Sequence, residues 1–183
     1  MNEALIFLGT TLIKLYLMVV LLRLWLQFAR ADFYNPFSQF VVKATQPVLA
    51  PMRRVIPAFG RFDTATVLLA LLLGVLIWVL RLMLSDAPLN PLLLLVIGAV
   101  TVLKEAGLLL FWTLLIRAIL SWVSQGYNPI EAVLHQLTEP MLAPIRRFLP
   151  PMGGLDFSML VLLIGMNFIN ILLHNYLPFW GVV

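Results

Sequence analysis

Four stretches of this chain are too apolar and too long to be stable outside a bilayer: about residues 4–28, 64–84, 91–124 and 157–177. A helix needs roughly 20 apolar residues to cross the hydrocarbon, and backbone placed there must satisfy its own hydrogen bonds, so each stretch is expected to be a helix. The expected class is therefore an all-α membrane protein with four transmembrane helices. Charged residues make up only 11% of the 183 positions and hydrophobic ones 62%, where soluble domains carry about a quarter charged. Mean hydropathy is +1.03. The first stretch opens on "MNEAL", includes Lys14 and lacks a small-residue cleavage site, so it reads as a retained helix and not as a signal peptide. Cysteine is absent, which removes disulfides, thiolate metal sites and thiol catalysis.

Between the first two spans runs "YNPFSQFVVKATQPVLAPMRRVIPAFGRFD", residues 34–63, and much of it returns 93 positions later as "YNPIEAVLHQLTEPMLAPIRRFLPPMGGLD". Asn35 and Pro36 align with Asn128 and Pro129, Thr45 with Thr138, Pro47 with Pro140, Arg53 and Arg54 with Arg146 and Arg147, and Asp63 with Asp156. The chain thus divides into residues 1–90 and 91–183, each a helix, a loop (29–63 or 125–156) and a second helix. With an even number of crossings per unit, the two are expected to be parallel repeats about an axis along the membrane normal. Both loops follow odd-numbered spans and hold most of the Lys and Arg, whereas the opposite side offers chiefly Arg81. The loops should therefore be cytoplasmic, and the net charge of +4 reads as topology, with no direct part for nucleic acid.

Within each loop, Asn followed by Pro is a helix start, the Asn side chain capping and Pro taking the first position. Phe37, Phe40, Val41, Ala44 and Val48 then share a face, as do Ile130, Val133, Leu134, Leu137 and Met141, so each loop holds an amphipathic helix. Pro47 and Pro140 are expected to interrupt these helices, leaving a second short segment for the twin arginines. Arg53, Arg54, Arg146 and Arg147 would then meet anionic lipid head groups or a partner, or simply set topology. Asp63 and Asp156 sit where a carboxylate caps the next span or pairs with a loop arginine.

Polar residues inside the spans form a second group of candidates, because ionisable side chains are costly in hydrocarbon. Lys14 and Glu105 lie nine and twelve residues before Arg23 and Arg117, a depth difference of about 4.5 Å that a lysine side chain bridges, so an ion pair is expected. Lys104 is expected to point to the outer head groups, and Arg23 and Arg117 to snorkel at the inner interface. Asn167, Asn170 and His174 recur at i, i+3 and i+7 as one polar stripe, serving either helix packing or an ion or solute path. Residues 91–102 read either as the start of one long tilted helix or as a short re-entrant segment.

The N-P start, T-x-P, the P-x-R-R-x-[IL]-P core and the G-x-x-D end, twice between hydrophobic spans, resemble the YggT family of bacterial inner-membrane proteins, which has relatives in cyanobacteria and plastids. The resemblance covers nearly the whole chain and implies a location in the inner membrane of a bacterium. It also implies a role in osmotic-shock tolerance or potassium homeostasis, channel-like or modulatory. Other members imply a different role, as non-transporting scaffolds in division, nucleoid distribution or cytochrome assembly. No nucleophile motif, P-loop, dinucleotide fingerprint or H-E-x-x-H run occurs, and neither histidine, His135 or His174, stands in a catalytic motif. The expectation is a non-enzyme with no cofactor and no metal. Its partners would be the bilayer and its anionic head groups, with further copies of the chain or other membrane proteins also compatible.

Overall fold

The computed structural model describes residues 2–58, 63–83, 90–123, 128–149 and 157–183. Among these there are six helices and no strand: α1 (Asn2–Phe28), α2 (Pro36–Val55), α3 (Thr64–Leu82), α4 (Pro91–Val123), α5 (Pro129–Phe148) and α6 (Phe157–Tyr176). Four of them, α1, α3, α4 and α6, are long and apolar enough to cross a membrane. Asp156 lies outside the described residues.

The loop helices start as their sequence dictates. The Asn35 Oδ1 accepts the Phe37 N–H at 2.9 Å and the Asn128 Oδ1 accepts the Ile130 N–H at 3.0 Å, each with Pro at the first helical position. The expected interruption at Pro47 and Pro140 does not occur, because α2 and α5 each run unbroken for 20 residues. Burial gives the reason. Ser38, Val41, Thr45 and Leu49 face the protein, while Lys43, Pro47 and Pro51 share the exposed face. A proline frees only the carbonyl four residues earlier, and here the freed carbonyls of Lys43 and Pro47 lie on that exposed face, where polar surroundings can solvate them. In α5, Gln136, Pro140 and Pro144 are exposed in the same way.

Residues 91–102 are the first three turns of α4, which continues without a break to Val123 over 33 residues. That settles the open reading in favour of one long helix. At about 50 Å it exceeds a 30 Å hydrocarbon core and must tilt or project.

Packing centres on α1, α3 and α4, which contact one another. Association inside a bilayer gains nothing from leaving water, so close backbone approach and van der Waals contact must hold the helices together. The α3–α4 crossing illustrates this: a Cβ on Gly74 would lie 2.6 Å from the Gly98 carbonyl oxygen, and one on Gly98 would lie 2.9 Å from the Val75 nitrogen. Beside that crossing the Trp78 Nε1 donates to the Thr101 Oγ1 at 2.8 Å. Leu17, Val20, Leu69 and Ile77 fill the space between α1 and α3, with Leu49 of α2 closing the cluster from below. Where the loop helices meet, Val41 of α2 packs with Val133 and Leu137 of α5 against Leu26 of α1. By contrast, α6 touches α4 and α5 and is the least buried span.

Candidate functional site

Two arrangements carry the chemistry of this molecule. The first fastens each loop helix to the membrane bundle. Arg23, only 7% exposed, donates from Nη1 to the Thr45 Oγ1 at 2.7 Å and to the Val42 carbonyl at 3.1 Å, and from Nη2 to the Gln46 Oε1 at 3.0 Å. Arg117 is buried equally and donates to the Thr138 Oγ1 and, at 3.3 Å, to the Glu139 carboxylate. The expected snorkelling of these arginines is therefore overturned. Each loop helix lies back along the end of the span that precedes it and supplies acceptors before the guanidinium reaches the interface. Both threonine hydroxyls in turn donate to the carbonyl four residues earlier, Val41 or Leu134, so each hydroxyl is fully engaged. The signal for this contact was present in the sequence as a threonine repeated in mid-helix and an arginine near the end of each preceding span, Arg23 and Arg117, one position out of the repeat register.

The twin arginines divide their work. Arg53 pairs with Asp63, which is 3% exposed and caps α3 by accepting from the Thr66 N–H and hydroxyl. Burial pushes the Asp63 carboxyl up, but its hydrogen bonds to Arg53 and Thr66 and the Arg53 charge outweigh this and hold it below the usual range. Arg146 bonds the Glu139 carboxylate at 2.8 and 3.0 Å, Arg117 also bonds it, and the His135 Nε2 stands 3.3 Å away. The second member of each pair, Arg54 and Arg147, is exposed. The caps also join the two loops: the Asn35 Nδ2 donates to the Pro129 carbonyl at 2.8 Å, and the Gln136 Oε1 accepts the Asp32 N–H at 2.9 Å.

The second arrangement lies between α1, α4 and α6, where a crevice of about 1090 Å³ has mostly apolar walls. Lys14 and Glu105 line it, with the Lys14 Nζ 2.8 Å from the Glu105 Oε1 and side-chain exposures of 32% and 7%. Asn167 and Asn170 stand on its α6 wall. The Asn170 Oδ1 accepts the Trp180 Nε1 at 2.9 Å. His174 is exposed on α6 and lies against Gly181, where a Cβ would come within 2.9 Å of the imidazole Nε2. Lys104 does not extend to the outer head groups as expected, because its ammonium donates to the Trp180 and Val183 carbonyls, with the Trp180 ring 5.9 Å away. The chain after α6 thus folds back and fastens α6 to α4.

Four apolar helices joined by two short amphipathic ones define a multi-pass membrane protein. The CCB3/YggT family model matches it twice, over residues 2–84 and 96–177. The chain belongs to that family. It is 58% identical over 177 residues to a Vibrio alginolyticus protein described as "Uncharacterized protein in proC 3'region", covering 95% of this chain and 96% of the relative. It is 52% identical over 168 residues to "Uncharacterized protein YggT" of Escherichia coli K12, covering 92% and 88% respectively. An uncharacterized protein of Pseudomonas aeruginosa is 43% identical over 180 residues, covering 97% of this chain and 91% of the relative. No solved structure matches the chain.

Proposed function

We propose that this is a non-enzymatic protein of the bacterial inner membrane that supports osmotic tolerance and ion homeostasis by modulating other membrane components, without itself conducting ions. The loops face the cytoplasm. There α2 and α5 form a platform at the head-group level, with Arg54 and Arg147 meeting anionic lipid phosphates. The observation that carries this reading is the pair of buried clamps, Arg23 on Thr45 and Arg117 on Thr138, which fix both helices to the spans and leave the second arginine of each pair exposed. Exposed Phe40 on α2 and Phe148 on α5, at 62% and 85%, suit the acyl boundary. Packing around Gly74 and Gly98 closes the α3–α4 seam.

The test combines three measurements. Reporters active only in the cytoplasm should work when fused after Arg61 or Pro151 and fail near Asp86. Proteoliposomes should show no potassium flux above protein-free vesicles. The Arg54→Gln/Arg147→Gln variant should accumulate normally in the membrane yet bind phosphatidylglycerol more weakly in native mass spectrometry and lose osmotic protection. Potassium flux through the purified protein would overturn modulation in favour of a channel, and unaltered lipid binding and protection would remove the arginines from the function.

A further inference from the structure

The crevice between α1, α4 and α6 is built into the asymmetry of the two halves. Gly74 lets α3 close onto α4, whereas its counterpart 93 positions on, in α6, is Asn167, and α6 faces α1 across open space. Gly107 of α4 lines that space, and a Cβ placed there would meet nothing within 4 Å.

Inside the crevice the hydrogen bonding is incomplete. An ammonium has three N–H donors, and Lys14 uses one, on the Glu105 Oε1. The Glu105 Oε2, buried on a residue 5% exposed, has no hydrogen-bond partner. Counted from Arg23 along α1, Lys14 lies about 13.5 Å into the membrane, close to the middle of a 30 Å core. Leaving such groups unpaired at this depth is costly, so the occupant should bring both an acceptor and a donor. It should also be uncharged, since Lys14 and Glu105 already balance and a further charge there would stand alone. Bulk water is a poorer candidate, because the fold-back of Trp180 and Val183 onto Lys104 and Asn170 straps the outer end. At about 1090 Å³ and with mostly apolar walls, the space suits a hydrocarbon chain entering from the side.

We propose that this crevice binds a neutral long-chain lipid bearing a hydroxyl group, the chain lying along α4 and the hydroxyl accepting from Lys14 and donating to Glu105. The site is independent of the arginines on the loop helices.

The full-length protein in phosphatidylcholine nanodiscs would be irradiated with a hexadecanol carrying a diazirine in its chain, and in parallel with the matching hexadecane. The alcohol should label crevice-facing segments of α1, α4 and α6 saturably and be displaced by plain hexadecanol. It should exceed the alkane by about tenfold or more, the factor expected for hydrogen bonds to charged groups. Lys14→Met/Glu105→Gln, which keeps the charge balanced, should bring the alcohol down to the level of the alkane. Gly107→Leu should block labelling by filling the crevice, while Gly165→Leu, outside it, and Arg54→Gln/Arg147→Gln should not. Equal, non-saturable labelling by alcohol and alkane would overturn the proposal, as would alcohol labelling that survives both Gly107→Leu and the double variant.

Discussion

The clamp on α2 can be tested with a single thiol, because the chain contains no cysteine. Ser38 is fully buried on the inner face of α2 and its hydroxyl has no partner, so Ser38→Cys removes no hydrogen bond. Maleimide reaches that thiol only when α2 lifts. In this background Arg23→Met removes three hydrogen bonds from a charged donor, to Thr45, Val42 and Gln46. It leaves no orphan behind at Thr45, whose hydroxyl keeps its bond to the Val41 carbonyl at 2.8 Å. Each lost bond is worth about 1.5–3 kcal/mol before the desolvation of the guanidinium is subtracted, which leaves about 3 kcal/mol net. The lifted population, and with it the labelling rate at low maleimide, should rise roughly a hundredfold. Thr45→Val should raise it about tenfold, since Arg23 retains its other two acceptors. If Arg23→Met labels no faster than the parent, α2 is held by Val41 and Leu49 packing alone and the clamp has been misjudged.

Three further outcomes are expected from the same geometry. Lys14→Met and Glu105→Gln should each lower thermal stability in micelles, by about 3 kcal/mol or more where a buried charge is left alone, and the double variant should recover part of that loss; strictly additive effects would show that the residues are uncoupled. Gly74→Ala and Gly98→Ala place a Cβ against backbone and should cost about 1–3 kcal/mol, whereas Gly107→Ala, which meets open space, should be neutral or slightly stabilising; an equal effect at all three would contradict the close α3–α4 crossing. Asp63, its folded pKa held low, contributes stability that is present above its unfolded value of about 3.9 and lost as pH falls through the lower folded value. Unfolding followed from pH 6 to pH 2 should therefore steepen below about pH 4 in the parent, and the Asp63→Asn variant should lack that part of the change.

The spans, the asparagine caps and the start of an amphipathic helix in each loop could be read from the chain because each rests on local rules: hydrocarbon length, and a capping side chain before proline. The register of Lys14 against Glu105 was also legible, since both are counted from arginines at the same end of parallel spans. What could not be read locally depended on which face of α2 and α5 meets the bundle. Pro47 reads as a helix breaker until Thr45 and Leu49 are seen to be buried and Pro47 exposed. Arg23 and Arg117 read as snorkelling side chains until the loop helices lie back over them. Lys104 reads as a head-group anchor until residues after α6 return to meet it.

The two matched halves differ at positions that bear on charge and on packing. Where the first half has Gln46, the second has Glu139. Gln46 accepts from Arg23, while Arg53 pairs with Asp63 and so joins the end of α2 to the cap of α3. The Glu139 carboxylate pairs with both Arg117 and Arg146, and its bond to Arg146 lies within α5. In the first half Arg53 fixes the start of the following span, and α3 packs against α1 and α4. In the second half Arg146 bonds Glu139 within α5, and α6, with Asn167 in place of Gly74, faces α1 across a crevice. The arginine–threonine clamp stands in both halves, while Gly74 sits at a close helix crossing and Asn167 on an open wall.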